Sequence, residues 1–503
     1  MKIGSSRRKQ SPTRWILGGF GVFFLVFSVI IGVSDWASYK QNPPAYPLGL
    51  TINGIPMGGL DRPAAEARLL EAFGLPVELV YQGARVQLAP QALGFSLDLP
   101  ATFGQLDEKG LSPGWWAHLW GKTTKQMLDV PAVYAIDEGV LKATLEQTFT
   151  PRYDQPATAA LPVIGSTAVN AGQAGWKLAS LEEAAAQTAQ ALASPSERTV
   201  VLSVSELAAL PMDTRNLEIQ LKQLIKLEGF NDLAEVYFQD LQSYENFHIA
   251  VLDNQDVPPD VAYSAASTIK IPIMLSALRR LDEPLPQLAA DWMRLMLTES
   301  LNSPADGLMK TYLDANQGPL VVTSDLVELG YQNTFLAGYF EPGSPLLKVF
   351  KTPANSRSDI FLDPDTYNQT VPSEIGSLLE RVYRCAGGME GGALFGGQVS
   401  QAECQSMLAL MQQNKIGALI EAGVPYETPV AHKHGWTTEL DGLLHAISDV
   451  GVVYSPARDY VLVIFIHSPQ QLFFDTQNRL FAKLSQCIYN SLNPEHQAAW
   501  LGE

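Results

Sequence analysis

The chain has little cysteine. Its 503 residues hold three, Cys385, Cys404 and Cys487, and no Cys-x-x-Cys pair, which excludes a zinc ribbon. Basic excess is missing too: 34 Lys and Arg stand against 52 Asp and Glu, a formal net charge of −18. Nucleic-acid binding needs clustered basic residues, so no nucleic-acid partner is expected. No His-x-x-x-His or comparable ligand set occurs, so neither a metal nor a cofactor is expected. Long hydrophobic runs are scarce as well. One stands out, Trp15 to Val33, uncharged over 19 residues.

That run sets the N-terminal organisation. Residues 1–14 carry Lys2, Arg7, Arg8, Lys9 and Arg14 and no acid, an expected cytoplasmic tail. A bilayer core takes about 20 apolar residues as helix, and a basic flank stays on the cytoplasmic side. Residues 15–33 are thus expected to form a single-pass anchor in the cell membrane, with the chain after Asp35 extracytoplasmic. A cleaved signal peptide is the rival reading. Its apolar stretch is shorter, and Val33-Ser-Asp-Trp-Ala-Ser38 is a poor cleavage site. Residues 34–47 form a linker with the proline-rich Gln41-Asn-Pro-Pro-Ala-Tyr-Pro47.

A chain of this length holds more than one domain. From residue 48 to 210 strands alternate with short helices. Asp61 has the character of an N-cap before an Ala/Leu/Glu-rich helix ending at Gly74. Val77–Leu88 is expected to be a hairpin turning at Gln82-Gly83. Ser180 with Glu183 makes a capping box for a helix reaching about Ala193. A weak repeat is present: Gly94-Phe-Ser-Leu-Asp-Leu99 and Gly175-Trp-Lys-Leu-Ala-Ser180 each precede a helix. This pattern, with Thr51-Ile-Asn-Gly-Ile-Pro-Met-Gly-Gly-Leu-Asp61, resembles the peptidoglycan-binding module of membrane-anchored bacterial envelope proteins. A plain stalk is the alternative.

From 211 to 503 the order changes. Two strands, a long series of helices, three strands and a final helix predict an α+β fold with one antiparallel sheet packed between helices. Cys385 ends one predicted helix and Cys404 begins the next, so the two meet if those helices run antiparallel. A disulfide is permitted outside the cytoplasm; three free buried thiols are the alternative.

Three motifs in this region carry chemistry. Ser267-Thr-Ile-Lys270 heads an apolar helix, and residues three apart share one helix face. Lys270 is placed to take the Ser267 proton, and the positive end of the helix dipole lies close by. Ser300-Leu-Asn302 follows, and Lys433-His-Gly435 comes later. In that order the set resembles class A β-lactamases and penicillin-binding proteins. Thr370–Tyr383 is similar to the helix before the third motif, and Asp449–Val463 to the closing hairpin. The resemblance covers about residues 211–503. It implies a β-lactamase-like sheet flanked by helices and a serine hydrolase acting on a β-lactam or a D-Ala-D-Ala-type amide. A D,D-peptidase, or a non-catalytic wall-binding protein that keeps the fold, is the alternative.

The roles follow from the resemblance. Ser267 is the nucleophile, Lys270 its base once burial has lowered its pKa, and Ser300 the proton relay. Asn302 orients Lys270 and the substrate amide. The amides of Ser267 and Trp436 form the oxyanion hole. Lys433 meets a substrate carboxylate, with His434 where the family has Thr or Ser, and Gly435 admits the substrate backbone. His432 and His434 share one face of the strand and Lys433 takes the other; His432 is expected to be a core residue. Two features depart from class A enzymes. Ser267 and Ser300 are only 33 positions apart, and the deacylating Glu-x-x-Leu-Asn motif is missing between Asn302 and Thr370. Glu341, in Tyr339-Phe-Glu-Pro-Gly-Ser344, is the nearest candidate base, so slow deacylation is expected.

Overall fold

The computed structural model describes residues 13–41, 45–111, 115, 127–389, 394–439 and 441–499. The basic tail before Thr13 lies outside them. The helix Thr13–Gln41 contains the apolar run. Its part Phe23–Gln41 is long and apolar enough to cross a membrane, at a mean hydropathy of 1.3. By length and composition it suits a membrane span or a signal sequence alike.

The chain divides into two compact units. The first takes the described residues up to Pro156 and then Gly175–Leu207. Its helices begin after short acceptor side chains, which bind amides the first turn leaves unpaired. Asp61 accepts from Ala64 N, Asp98 from Ala101 N, Asp137 from Val140 N and Ser180 from Glu183 N. The Ser180 box is half made, since the Glu183 carboxylate accepts from Gln187 Nε2 instead. The weak repeat becomes three strand–cap–helix passages: Phe95–Leu97 into Leu99–Glu108, Tyr134–Ile136 into Glu138–Phe149, and Gly175–Leu178 into Leu181–Ala193. The hairpin of Val77–Tyr81 and Ala84–Leu88 turns at Gln82 and Gly83, both at positive φ. Thr199–Val201 adds to it in parallel. Leu69, Phe73, Leu79, Phe103, Leu145 and Phe149 fill the core.

The second unit takes residues 157–174 and 208–503. The first stretch departs from the expected boundary at 210/211. Its hairpin of Leu161–Pro162 and Val169–Asn170 places Ala160 and Val169 in this unit's core. Gln497 holds Val169 by both backbone groups.

Five long strands form this unit's sheet: β1 (Leu233–Asp240), β2 (Asn246–Leu252), β3 (Val430–Thr438), β4 (Leu444–Tyr454) and β5 (Asp459–His467). All pair antiparallel in the order β2-β1-β5-β4-β3, with Gln255–Asp256 beyond β2 and β3 at the other edge. The helices are α1 (Thr214–Leu227), α2 (Lys270–Leu278), α3 (Gln287–Thr298), α4 (Asn302–Leu308), α5 (Gly318–Glu328), α6 (Pro372–Ala386), α7 (Gln401–Met411) and α8 (Phe474–Leu492). Strand side chains alternate between faces, and β5 is apolar on both. Val461, Val463 and Phe465 enter the core holding α2, α3, α6 and α7, while Leu462, Ile464 and Ile466 pack with α1 and α8. This is the expected α+β arrangement of one sheet between two helical layers. Cys385 and Cys404 are joined between α6 and α7, and Cys487 is a buried free thiol.

Candidate active site

The nucleophile's turn is built by a crossing strand. Tyr263–Ser264 pairs with Asn368–Thr370, and Asn368 holds the turn twice. Its carbonyl accepts from Ala265 N at 3.2 Å and its Oδ1 from Ala266 N at 2.9 Å. Ala266 sits at φ +47°, a left-handed conformation that a residue other than glycine adopts at a cost. A 3₁₀ turn, Ala266–Ile269, then runs into α2 at Lys270. Ser267 thus stands in the tight turn ahead of the α-helix, not at its N-cap.

Lys270 is completely buried. An ammonium has three N–H donors, and three acceptors lie at donor distance: Ser267 Oγ at 2.8 Å, Ser300 O at 2.7 Å and Asn302 Oδ1 at 2.7 Å. Ser300 Oγ is farther, at 3.4 Å. Burial lowers the Lys270 pKa to about 7, against an opposing pull from Asp306. Loss of one proton would leave a lone pair for the Ser267 hydroxyl. Ser300, at φ +58°, turns its hydroxyl to Lys433, which donates to it at 2.8 Å. Lys433 is likewise fully buried. Its pKa falls to about 7 through burial and the neighbouring charge of Lys270. Ser267, Lys270, Ser300, Asn302 and Lys433 therefore form one connected cluster from three segments.

Strand β3 closes the cluster. Its outer edge carries carbonyls that bind side chains: His432 O accepts from Asn414 Nδ2 and His434 O from Lys433 Nζ. Gly435, of the opposite parity, pairs with Ser448 on β4. Alternation sends the Trp436 N–H off the same open edge. Trp436 and Ser267 both line a cavity of about 390 Å³.

Three residues expected to contact substrate also make close contacts within the protein. Lys433 is spent on Ser300 Oγ and the His434 carbonyl and does not line the cavity. His434 is buried, stacked on Trp436 at 4.3 Å and bonded through Nδ1 to Asn414. Burial, reinforced by the charge of Lys433, holds its pKa at about 3, so the ring is neutral. A Cβ on Gly435 would meet Ser448 Oγ at 2.8 Å, Ala265 O at 2.9 Å and Thr268 Cγ2 at 3.0 Å. The missing side chain lets β3 lie against the nucleophile's turn. His432 is the expected core residue, but a charged one. Burial works against its charge, yet Asp449 at 2.9 Å and Glu421 at 3.3 Å raise its pKa to about 9.

Glu341 does line the cavity. It is exposed and pairs with Lys310 at 2.7 Å, and that bond lowers its pKa. Its amide is held by Asp306, which also binds Phe340 N. Asp306, Asn368 and Asp365, a further lining carboxylate, were not singled out by motif. They lie outside the three motifs, and only chain folding brings them to Ser267.

Among the described residues, one trio, Glu235, His248 and Asp260, brings potential metal-ligand atoms within 4.8 Å of one another. His248 Nε2 faces Glu235 at 2.7 Å and Nδ1 faces Asp260 at 3.9 Å. One ring nitrogen is thus turned to each carboxylate.

No curated protein matches the chain. Among solved structures, PBP-A is similar at 20% identity and a TM-score of 0.40, over 56% of this chain and 96% of its own. A variant of it, described as an acyl-enzyme complex with penicillin G, is similar at 19% and 0.41, over 56% and 97%. A class A β-lactamase from Mycobacterium abscessus is similar at 17% and 0.40, over 55% and 99%. Residues 289–492 match the model of the β-lactamase enzyme family. The match spans Ser300, Asn302 and Lys433 and begins after Lys270. The Ser267–Lys270 pair lies before that matched stretch and is joined to it through the hydrogen bonds of Lys270 to Ser300 O and Asn302 Oδ1.

Proposed function

We propose that the second unit forms an acyl-enzyme on Ser267 with β-lactams or D-Ala-D-Ala-type amides. The observation that carries this is the hydrogen bond from a fully buried Lys270, its pKa near 7, to Ser267 Oγ. Neutral Lys270 takes the hydroxyl proton as Ser267 Oγ bonds to the carbonyl carbon. The amides of Ser267 and Trp436 receive the oxyanion, a contribution of a few kcal/mol for each donor. As the C–N bond breaks, Ser300 passes a proton from the lysines to the leaving nitrogen, and Asn302 keeps Lys270 in place.

Water must then release the acyl group. Glu341 is the candidate base, but its ion pair with Lys310 makes it a weak one. Slow release follows, so the unit acts as a slow β-lactamase or as a D,D-peptidase that β-lactams inhibit. The first unit serves as a stalk or peptidoglycan-binding module, and residues 15–33 hold the protein in the cell membrane with its catalytic unit extracytoplasmic. A fluorescent penicillin should label the full-length protein, and Ser267→Ala should abolish the label. Equal labelling of both proteins would sink the reading.

A further inference from the structure

The charge of the cavity wall says more about the substrate. Among the described residues its charged lining groups are Glu341 and Asp365, and no lysine, arginine or histidine lines it. The nearby cations, Lys270 and Lys433, are fully buried and donate to protein acceptors. Glu341 already has its cation in Lys310. Asp365 has none among the described residues. Its Oδ1 accepts one hydrogen bond, from Tyr367 N at 2.9 Å. Burial raises its pKa, and that single bond only partly opposes the rise. Glu439 feels the same field: burial raises its pKa, His445 opposes the rise, and the charges of Asp441, Asp363 and Asp365 add to it.

Asp365 is also fixed in place. Its amide donates to Ser264 Oγ at 2.7 Å and its carbonyl accepts from Gln369 Nε2 at 2.9 Å. Tyr367 ties the same segment across to Ser344 O at 3.0 Å. The backbone of Asp365 is therefore anchored to Ser264, three residues upstream of the nucleophile, beside the crossing strand that shapes its turn. A half-buried carboxylate without a cation is costly, and a ligand that supplies one recovers that cost as a charge-assisted hydrogen bond.

We propose that the cavity selects acyl donors bearing a cationic amine and that Asp365 is the counter-charge that receives it. This rests on the reading of Ser267 as the nucleophile. The ligand chemistry is an alkylammonium on the acyl group, at a distance from the carbonyl that the cavity spans. A carboxylate in that position meets Asp365 and Glu341 and is repelled.

Three thioesters test it on the full-length protein. They share one acyl skeleton, ending in a free ε-amino group, the same group acetylated, or a carboxylate. The amino thioester should exceed the acetylated one in kcat/KM by roughly tenfold, and the carboxylate should be the poorest. Asp365→Asn should collapse the ratio between the first two, and Asp365→Glu should keep most of it. Equal rates for the amino and acetylated thioesters in the wild type overturn the proposal without any variant. So does a preference that survives Asp365→Asn, or a variant that slows all three alike, as loss of a general base would. Reaction with none of the three, or reaction that persists in Ser267→Ala, overturns the nucleophile reading and this one with it.

Discussion

At Lys270 the protein holds an amine where its charge is least stable, and geometry turns that instability to use. Burial lowers its pKa to about 7, while Asp306 favours the charged form. The neutral amine is the working base, so acylation should rise with pH through about 7 and level off above. Lys433 titrates in the same range and feels the charge of Lys270, so the apparent value belongs to the pair. Asp306→Asn removes a charge that raises the Lys270 pKa, and the asparagine oxygen can still accept one of the Phe340 and Glu341 amides. The acid limb of that variant should therefore move to lower pH in a stopped-flow acylation profile. A limb moved to higher pH, or left in place, would show that Asp306 does not set the base. At this scale motif order alone made Ser267, Lys270, Ser300 and Asn302 legible, because the chemistry needs those residue types in that sequence. Asp365 was not legible, since its importance comes from which wall of the cavity it occupies.

The elements explain why a strand ends where a nucleophile begins. Helices with a clear apolar stripe, such as α1 and α3, are the readable ones. Helix α5 escaped notice because Gly318 and Pro319 open it and its apolar residues form no clear stripe. Helix α4 begins at Asn302 and runs into a π-helical turn, Met309–Leu313. Strand alternation correctly separated Lys433 from His432 and His434, yet the face that meets the cavity depends on β3 being an edge, which only the sheet order reveals. Gly435 is the clearest case. Its role is contact between β3 and the turn of Ser267, so Gly435→Ala should force those elements apart. Overpacking of this kind costs about 1–3 kcal/mol, visible as a lower melting temperature together with slower acylation. A variant as stable and as fast as the wild type would show that the contact has slack.

At the scale of the molecule, the anchor and the acyl-enzyme chemistry make separate claims. If residues 15–33 stay in the bilayer, the full chain should sediment with membranes, resist extraction by high salt and dissolve in detergent. A soluble product whose N-terminus lies near residue 38 would identify that helix as a cleaved signal instead. The central claim is that Ser267 is acylated and released slowly. Intact-mass spectrometry of the full chain, after incubation with a penicillin that carries an amino side chain, tests it most directly when followed by peptide mapping. The expected result is one adduct per chain, carried by the peptide that contains Ser267, absent from Ser267→Ala and persisting after excess penicillin is removed. A folded protein that stays unmodified, or an adduct that survives Ser267→Ala, would contradict the account.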